Sequence, residues 1–306
     1  MARAAVVLAF LVMTATTAAV PQAIAAPAPP AEPPSPVSGP VTHPGDDGGH
    51  ASHGRGRTGP KDVGIGLPHG MDVSGYQGEV DWDAARADDA QFAYVKATEG
   101  TTFQNANYKP QYDGAAGAGI LHGAYHFALP DRDPAADQAA YFVAHGGSWT
   151  ADGKTLPPML DIEDNPYGDQ CYGLSTTDMT AWVKAFSDTV HAKTGRFPTI
   201  YTSTRWWKEC TGDAAGFGAN PLFVAHYEDD PGPMPASWTT QTFWQFSDEG
   251  KLPGDQDVYA GTQAQLESLA KGEVTPDKRT LRERRPPKEA APGSRSRLTV
   301  DRRSGP

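Results

Sequence analysis

The chain has 306 residues, a formal net charge of −11 and a hydrophobic content of 38%, enough to bury a sizeable core. The acidic balance argues against nucleic acid as a partner. The two cysteines form no C-x-x-C pair and no His-rich ligand spacing accompanies them, so no metal and no cofactor is expected.

At the start, Arg3 precedes an apolar run from Ala4 to about Ala19, and Ala23 and Ala25 supply a small-residue cleavage pattern. Residues 1–25 therefore read as a secretory signal peptide. The run falls short of the roughly 20 residues that span a bilayer. The expectation is a secreted protein, extracellular or cell-wall associated, monomeric, with no integral membrane segment after signal removal. Residues 26–68 are rich in Pro, Gly and His and nearly devoid of large apolar side chains, which predicts a disordered linker. From residue 272 to 306 Arg, Lys, Pro and Glu prevail, giving a basic disordered tail that could attract the anionic polymers of a cell wall.

Residues 69–271 carry nearly all of the aromatic side chains and are strongly acidic. Within them, 70–74, 92–97 and 121–127 read as strands, and 81–87, 107–118 and 133–145 as helices. A strand is expected at 158–161. Residues 176–194 form the most amphipathic stretch, with Met179, Trp182, Val183, Phe186 and Val190 three or four apart and Gly195 as the stop. Further strands fall at 199–202, 222–226 and 242–246. This alternation predicts an α/β fold, a modified TIM-like β/α barrel whose helices weaken in the last third. Cys171 and Cys210 are expected to pair in a disulfide, as an isolated pair in an exported protein.

One short segment carries chemistry. In Met159-Leu160-Asp161-Ile162-Glu163-Asp164 an apolar approach ends in two acids one residue apart. In a strand such side chains leave the same face, and two carboxylates suffice to cut a glycosidic bond. One protonates the leaving oxygen, the other meets the developing positive charge. A solvated strand end is the competing reading. In a barrel the chemistry sits at the C-terminal strand ends, where Asp72, Tyr125, Tyr201, His226 and Gln245 also fall. Tyr125, Tyr201 and Gln245 suit sugars through stacking and hydrogen bonds. His122, His126 and His226 read as structural histidines, Trp206 and Trp207 as either core residues or sugar platforms, and Asp164 as facing away from its neighbours.

Six ordered stretches resemble glycoside hydrolase family 25, the muramidases often called lysozymes. They are Gly70-Met71-Asp72-Val73-Ser74-Gly75-Tyr76-Gln77, Tyr94-Val95-Lys96-Ala97-Thr98-Glu99-Gly100, Gly123-Ala124-Tyr125-His126-Phe127, Leu160-Asp161-Ile162-Glu163, Ile200-Tyr201-Thr202-Ser203, and Phe243-Trp244-Gln245 leading to Gly254-Asp255-Gln256-Asp257-Val258-Tyr259. The resemblance implies a modified β/α barrel that hydrolyses the β-1,4 bond between N-acetylmuramic acid and N-acetylglucosamine in bacterial peptidoglycan. It implies Glu163 as general acid, and Asp161 as the group that stabilises an oxazolinium formed by the substrate's N-acetyl group or acts more directly. It also places Asp72 in the site with one of Asp255 and Asp257, and counting from Tyr259-Ala260-Gly261 favours Asp255. Tyr125 and Tyr201 correspond to sugar-lining tyrosines. Rival readings are a non-catalytic wall-binding module and a glycosidase of chitin-like substrates, the latter disfavoured by the lack of a D-x-x-D-x-D-x-E run.

Overall fold

The computed structural model describes residues 66–273. The expected signal peptide, nearly all of the linker and nearly all of the basic tail lie outside the described residues. Strands and helices alternate as β1 (His69–Val73), α1 (Trp82–Ala87), β2 (Ala90–Glu99), β3 (Phe103–Gln104), α2 (Tyr108–Gly117), β4 (Leu121–Phe127), α3 (Ala135–Ala144) and β5 (Met159–Asp161). They continue with α4 (Thr176–Thr194), β6 (Thr199–Ser203), α5 (Thr204–Thr211), β7 (Leu222–Ala225), β8 (Phe243–Ser247), β9 (Asp255–Tyr259) and α6 (Gln263–Ala270).

The strands pair in the order β1-β9-β8-β7-β6-β5-β4-β2-β3, and an additional β1–β2 pairing closes the ring. Seven strands of the ring run parallel, from β1 through β2 and β4 to β8. The eighth, β9, lies antiparallel between β8 and β1, and β3 folds back on the end of β2. A parallel step needs a crossover, which helices supply up to β7. Between β7 and β8 no helix forms among the described residues, and β8 turns directly into β9. The expected weakening of the last third is this substitution of a hairpin for a βα unit.

Alternation along the strands sorts the core into layers. Inward-facing Phe92, Tyr94, Tyr125, Met159, Tyr201, Phe223, Phe243 and Tyr259 pack together, joined by Leu266 and Leu269 of α6. Because α6 follows the end of antiparallel β9, it plugs the barrel at the N-terminal ends of the parallel strands. Glycine makes room for this layer: a Cβ on Gly70 would lie 2.6 Å from the Phe92 ring, and one on Gly123 2.5 Å from that of Tyr94. Outward-facing Leu160, Ile162 and Ile200 pack beneath the helices with Phe142, Met179, Phe186, Trp206 and Trp207. Both tryptophans are fully buried, which settles them as core.

Local chemistry fixes the helix ends. The Ser175 hydroxyl accepts from the N–H of Asp178 to start α4, and Gly195, in the left-handed region at φ 74°, ends it. Cys171 and Cys210 are joined in a disulfide with a Cα–Cα distance of 5.3 Å. It ties the segment after β5 to α5, and closing a loop of that size contributes about 3 to 4 kcal/mol on the chain-entropy account.

Four elements escape the sequence reading, and β3 does so because it is only two residues long. Strand β9 hides because two of its three inward positions are Asp255 and Asp257, with only Tyr259 apolar, so its alternation does not read as amphipathic. Helices α5 and α6 are only eight residues each. The Thr262-x-x-Gln265 capping box, present in both directions, was the available signal for α6.

Candidate active site

The parallel strands end at one mouth, and β9, running the other way, begins there. That reversal sets its first residue, Asp255, opposite Asp72 at the end of β1. Asp161 ends β5, 7% exposed, with a buried Oδ1 that has no hydrogen-bond partner among the described residues. Regular strand geometry stops at Asp161, so the pair does not lie wholly within a strand as the sequence suggests. The extended path continues for a step all the same: the N–H of Ile162 donates to Tyr201 O at 3.0 Å and that of Ala128 to Asp161 O at 2.9 Å. Ile162 is thereby buried under the helices, and Asp161 and Glu163 flank it on the site side.

The segment beyond Glu163 is held from outside the barrel. Besides the disulfide, Arg205 of α5 pairs with Asp164. Gln170 Nε2 donates to Glu209 Oε2 at 2.6 Å, and Trp206 Nε1 to Gln170 O at 3.3 Å. Asp164 still contributes to the field at Glu163, so it is less remote than its alternation in the sequence suggests.

Gln245, near the end of β8, joins several of the expected residues. Its Nε2 donates to Asp72 Oδ2 at 2.7 Å and to Asp255 Oδ2 at 3.0 Å. Its Oε1 accepts from Tyr201 at 2.7 Å and from Tyr227 at 2.8 Å. Tyr125 is buried in the inner layer, near enough to Asp72, Asp161, Asp255 and Glu163 that all four, after burial itself, push its hydroxyl pKa upward. Asp72, Asp161, Glu163, Asp255, Tyr125, Tyr201 and Gln245 thus share one mouth.

The two acids of Asp255-Gln256-Asp257 take different places. Asp255 stands at the mouth. Asp257 is the next inward position along β9, 0% exposed, with neither carboxyl oxygen hydrogen-bonded among the described residues.

Crowding and burial dominate the electrostatics. Glu163 is pushed up to about 8, chiefly by burial and then by Asp164 and Asp72, against the pull of Lys96. Asp161 is pushed well above the carboxylate range by burial and then by Glu163, again opposed by Lys96. Burial raises Asp72 to about 6 although the Gln245 amide favours its anion. Asp255 rises to about 9 through burial, then Asp72, Asp248 and Glu163. Asp257 is likewise pushed well up by burial, then by Asp72 and Asp255.

Sequence reasoning passes over the groups that frame this cluster. Lys96, inside one of the recognised stretches, lies 2.5 Å from Glu99 Oε2 and over the rings of Phe127 at 4.9 Å and Phe103 at 5.4 Å. Glu99 Oε1 in turn accepts from the Tyr167 hydroxyl at 2.7 Å. Tyr167 and Tyr76, 49% and 69% exposed, are the exposed large hydrophobic side chains among the described residues, and both follow strands that end at the mouth. The histidines are structural. His126 lies 2.8 Å from Thr98 Oγ1 and 3.0 Å from Gln138 Oε1, His122 2.9 Å from Ile120 O and His226 2.7 Å from Asp230 O.

Such a site can hold a proton at neutral pH on one carboxyl while a neighbouring carboxyl meets positive charge. That is the division of labour in glycoside hydrolysis.

Comparison with known proteins agrees. The family model described as Glycosyl hydrolases family 25 matches residues 71–255. The N,O-diacetylmuramidase of Arthroderma benhamiae is 47% identical over 212 residues, covering 69% of this chain and 90% of that protein. Lysozyme M1 of Streptomyces globisporus is 42% identical, over 66% of this chain and 70% of its own length. Among solved structures, a family GH25 lysozyme from Aspergillus fumigatus superposes with a TM-score of 0.66 at 47% identity, covering 67% of this chain and 99% of that one.

Proposed function

The chain belongs to glycosyl hydrolases family 25, and from that premise we propose a residue-by-residue account of how it cuts its substrate. It is a glycoside hydrolase that acts on peptidoglycan, as its muramidase and lysozyme relatives do. The bond broken is the β-1,4 link from N-acetylmuramic acid to N-acetylglucosamine.

Glu163 donates its proton to the glycosidic oxygen as the bond to the anomeric carbon breaks. Asp161, whose upward shift by burial and Glu163 is opposed by Lys96, meets as an anion the positive charge that develops there, assisted by the substrate's N-acetyl group. Glu163, now an anion, takes a proton from the water that completes hydrolysis and is restored as the acid. Burial, then the negative field of Asp164 and Asp72, keeps the Glu163 proton in place at neutral pH, and Asp255 stands beside Asp72 as the fourth carboxyl of the site. The observation that carries the reading is Glu163 itself. It is a carboxyl pushed up to about 8, with no hydrogen bond or ion pair among the described residues, in the midst of three other acids.

Tyr125 and Tyr201 line the sugar site, and the exposed rings of Tyr76 and Tyr167 extend it as stacking platforms. The Glu99 bond holds the second of these in place. The catalytic unit is residues 69–271 of an exported, monomeric protein. Its signal peptide is residues 1–25, and residues 26–68 and 272–306 are a linker and a basic tail outside the catalytic unit.

Mass analysis of digested peptidoglycan tests the chemistry. New reducing ends at muramic acid are expected. Reducing ends at N-acetylglucosamine, or free stem peptides, would overturn it.

A further inference from the structure

A primary amide has two N–H donors and two acceptor lone pairs. In Gln245 all four are committed: the donors to Asp72 and Asp255, the lone pairs to Tyr201 and Tyr227. The side chain is 1% exposed. The partners also fix which end is which, since carboxylates accept and tyrosine hydroxyls can donate. The pairing of β8 with β9 is irregular between Gln245 and Ser247, and a bulge of this kind re-aims a side chain where function needs it. Nothing on this amide is left to bond a sugar.

We propose that Gln245 is a positioning residue: it holds Asp72 and Asp255 side by side as hydrogen-bond acceptors and anchors the hydroxyls of Tyr201 and Tyr227 beneath the cleft. This rests on the acid roles given above. The chemical type matters. Two neighbouring carboxyls ordinarily share a proton, whereas the amide bridges both with protons of its own and adds no charge. A cation here would drain the negative field that keeps Glu163 protonated; an acid would deepen it and compete for a proton. The ionisable groups around the amide are Asp72 of β1, Asp255 and Asp257 of β9, Tyr201 of β6 and Tyr227 after β7. Glu163 and Asp248 act on Asp255 from further out.

Gln245→Glu keeps the shape and removes one donor even when the new carboxyl is protonated; ionised, it repels both neighbours. Measured on intact cell walls, kcat is expected to fall by about tenfold or more at neutral pH, as for a misaligned general acid. It should recover as pH is lowered, so that the upper limb of the pH profile moves down, with KM nearly unchanged. Should that variant fail to fold, Gln245→Met removes all four bonds without adding charge, and the expectation is again a lower kcat at preserved KM. A pH profile superimposable on that of the parent protein, or a raised KM with kcat intact in either variant, overturns the proposal and makes Gln245 a substrate contact or filler. The comparison holds whichever bond is cut, so it fails separately from the muropeptide digest that tests the reaction itself.

Discussion

The two ends of the barrel follow opposite rules. At the floor, Phe92, Tyr94, Phe243 and Tyr259 meet with ring centroids 5.1 to 5.8 Å apart, and α6 seals them with Leu266 and Leu269. The Tyr94 hydroxyl finds Pro157 O at 3.1 Å. At the mouth, four acids crowd together with raised pKa values, and Glu163 has no hydrogen bond or ion pair among the described residues. The difference teaches where stability and reactivity are stored. Dispersion and apolar burial at one end tolerate unfavourable charge at the other, which is why strain and like charge gather at working sites.

Changes at either end should therefore separate cleanly. The largest effect is expected from Glu163→Gln, which should abolish cell-wall lysis, a loss of about 10³-fold or more, while thermal unfolding shows an intact or slightly more stable fold. Near-native turnover would break the contrast. Asp161→Asn should lose activity comparably.

At the floor, Phe243→Ala should cost about 3 to 5 kcal/mol of stability, read by denaturant unfolding. The protein that stays folded should keep its kcat. A selective loss of kcat without loss of stability would mean that the two ends are not independent.

Intermediate in size are the pH effects. The general acid must be protonated, so activity should decline as pH rises through about 8, the value for Glu163. Stability has the same sign. Carboxyls whose native pKa values are raised hold protons that the unfolded chain releases near pH 4. The native state therefore binds more protons above that pH, and stability is full below it and falls as pH rises. Asp257 lies between the two regions and isolates this effect. Asp257→Asn should stabilise the domain at neutral pH by about 1 to 2 kcal/mol and flatten the dependence of Tm on pH. An unchanged slope would show that its buried carboxyl is not what titrates.

The smallest effect is expected at the rim. Tyr167→Ala should raise KM for polymeric peptidoglycan a few-fold, with kcat and Tm nearly unchanged; an equal effect on short and long glycans would remove the platform role.

Much of this architecture is legible in the chain. The parallel strands announce themselves because each is a short apolar run followed by an amphipathic or capped stretch. The acids at 161 and 163 stand out because an apolar approach leads into them, although regular strand geometry ends at the first. What stays hidden depends on partners far away in sequence. Asp255 and Asp257 look alike until β9 is seen to run against its neighbours, which puts one at the mouth and one in the interior. Lys96 looks like any lysine until Glu99, Phe103 and Phe127 surround it. The four bonds of Gln245 require Tyr227, from a connection with no regular structure, and an irregular strand pairing, neither of which leaves a pattern in residue spacing.

The reversed strand also makes the catalytic constellation sensitive to counting. A one-residue change in the length of the connection between β8 and β9 that shifted their register would turn Gln256 and Val258 inward and erase every acid on that face. A two-residue shift would bring Asp257 to where Asp255 now stands. Gly254 guards the present setting: its φ of 78° and its approach to Asp72 O leave no room for a side chain. To insertions and deletions, then, this turn behaves as a parity check. Odd errors are lost, and a two-residue error in one direction meets a spare carboxyl already in the strand, whereas the other brings Pro253.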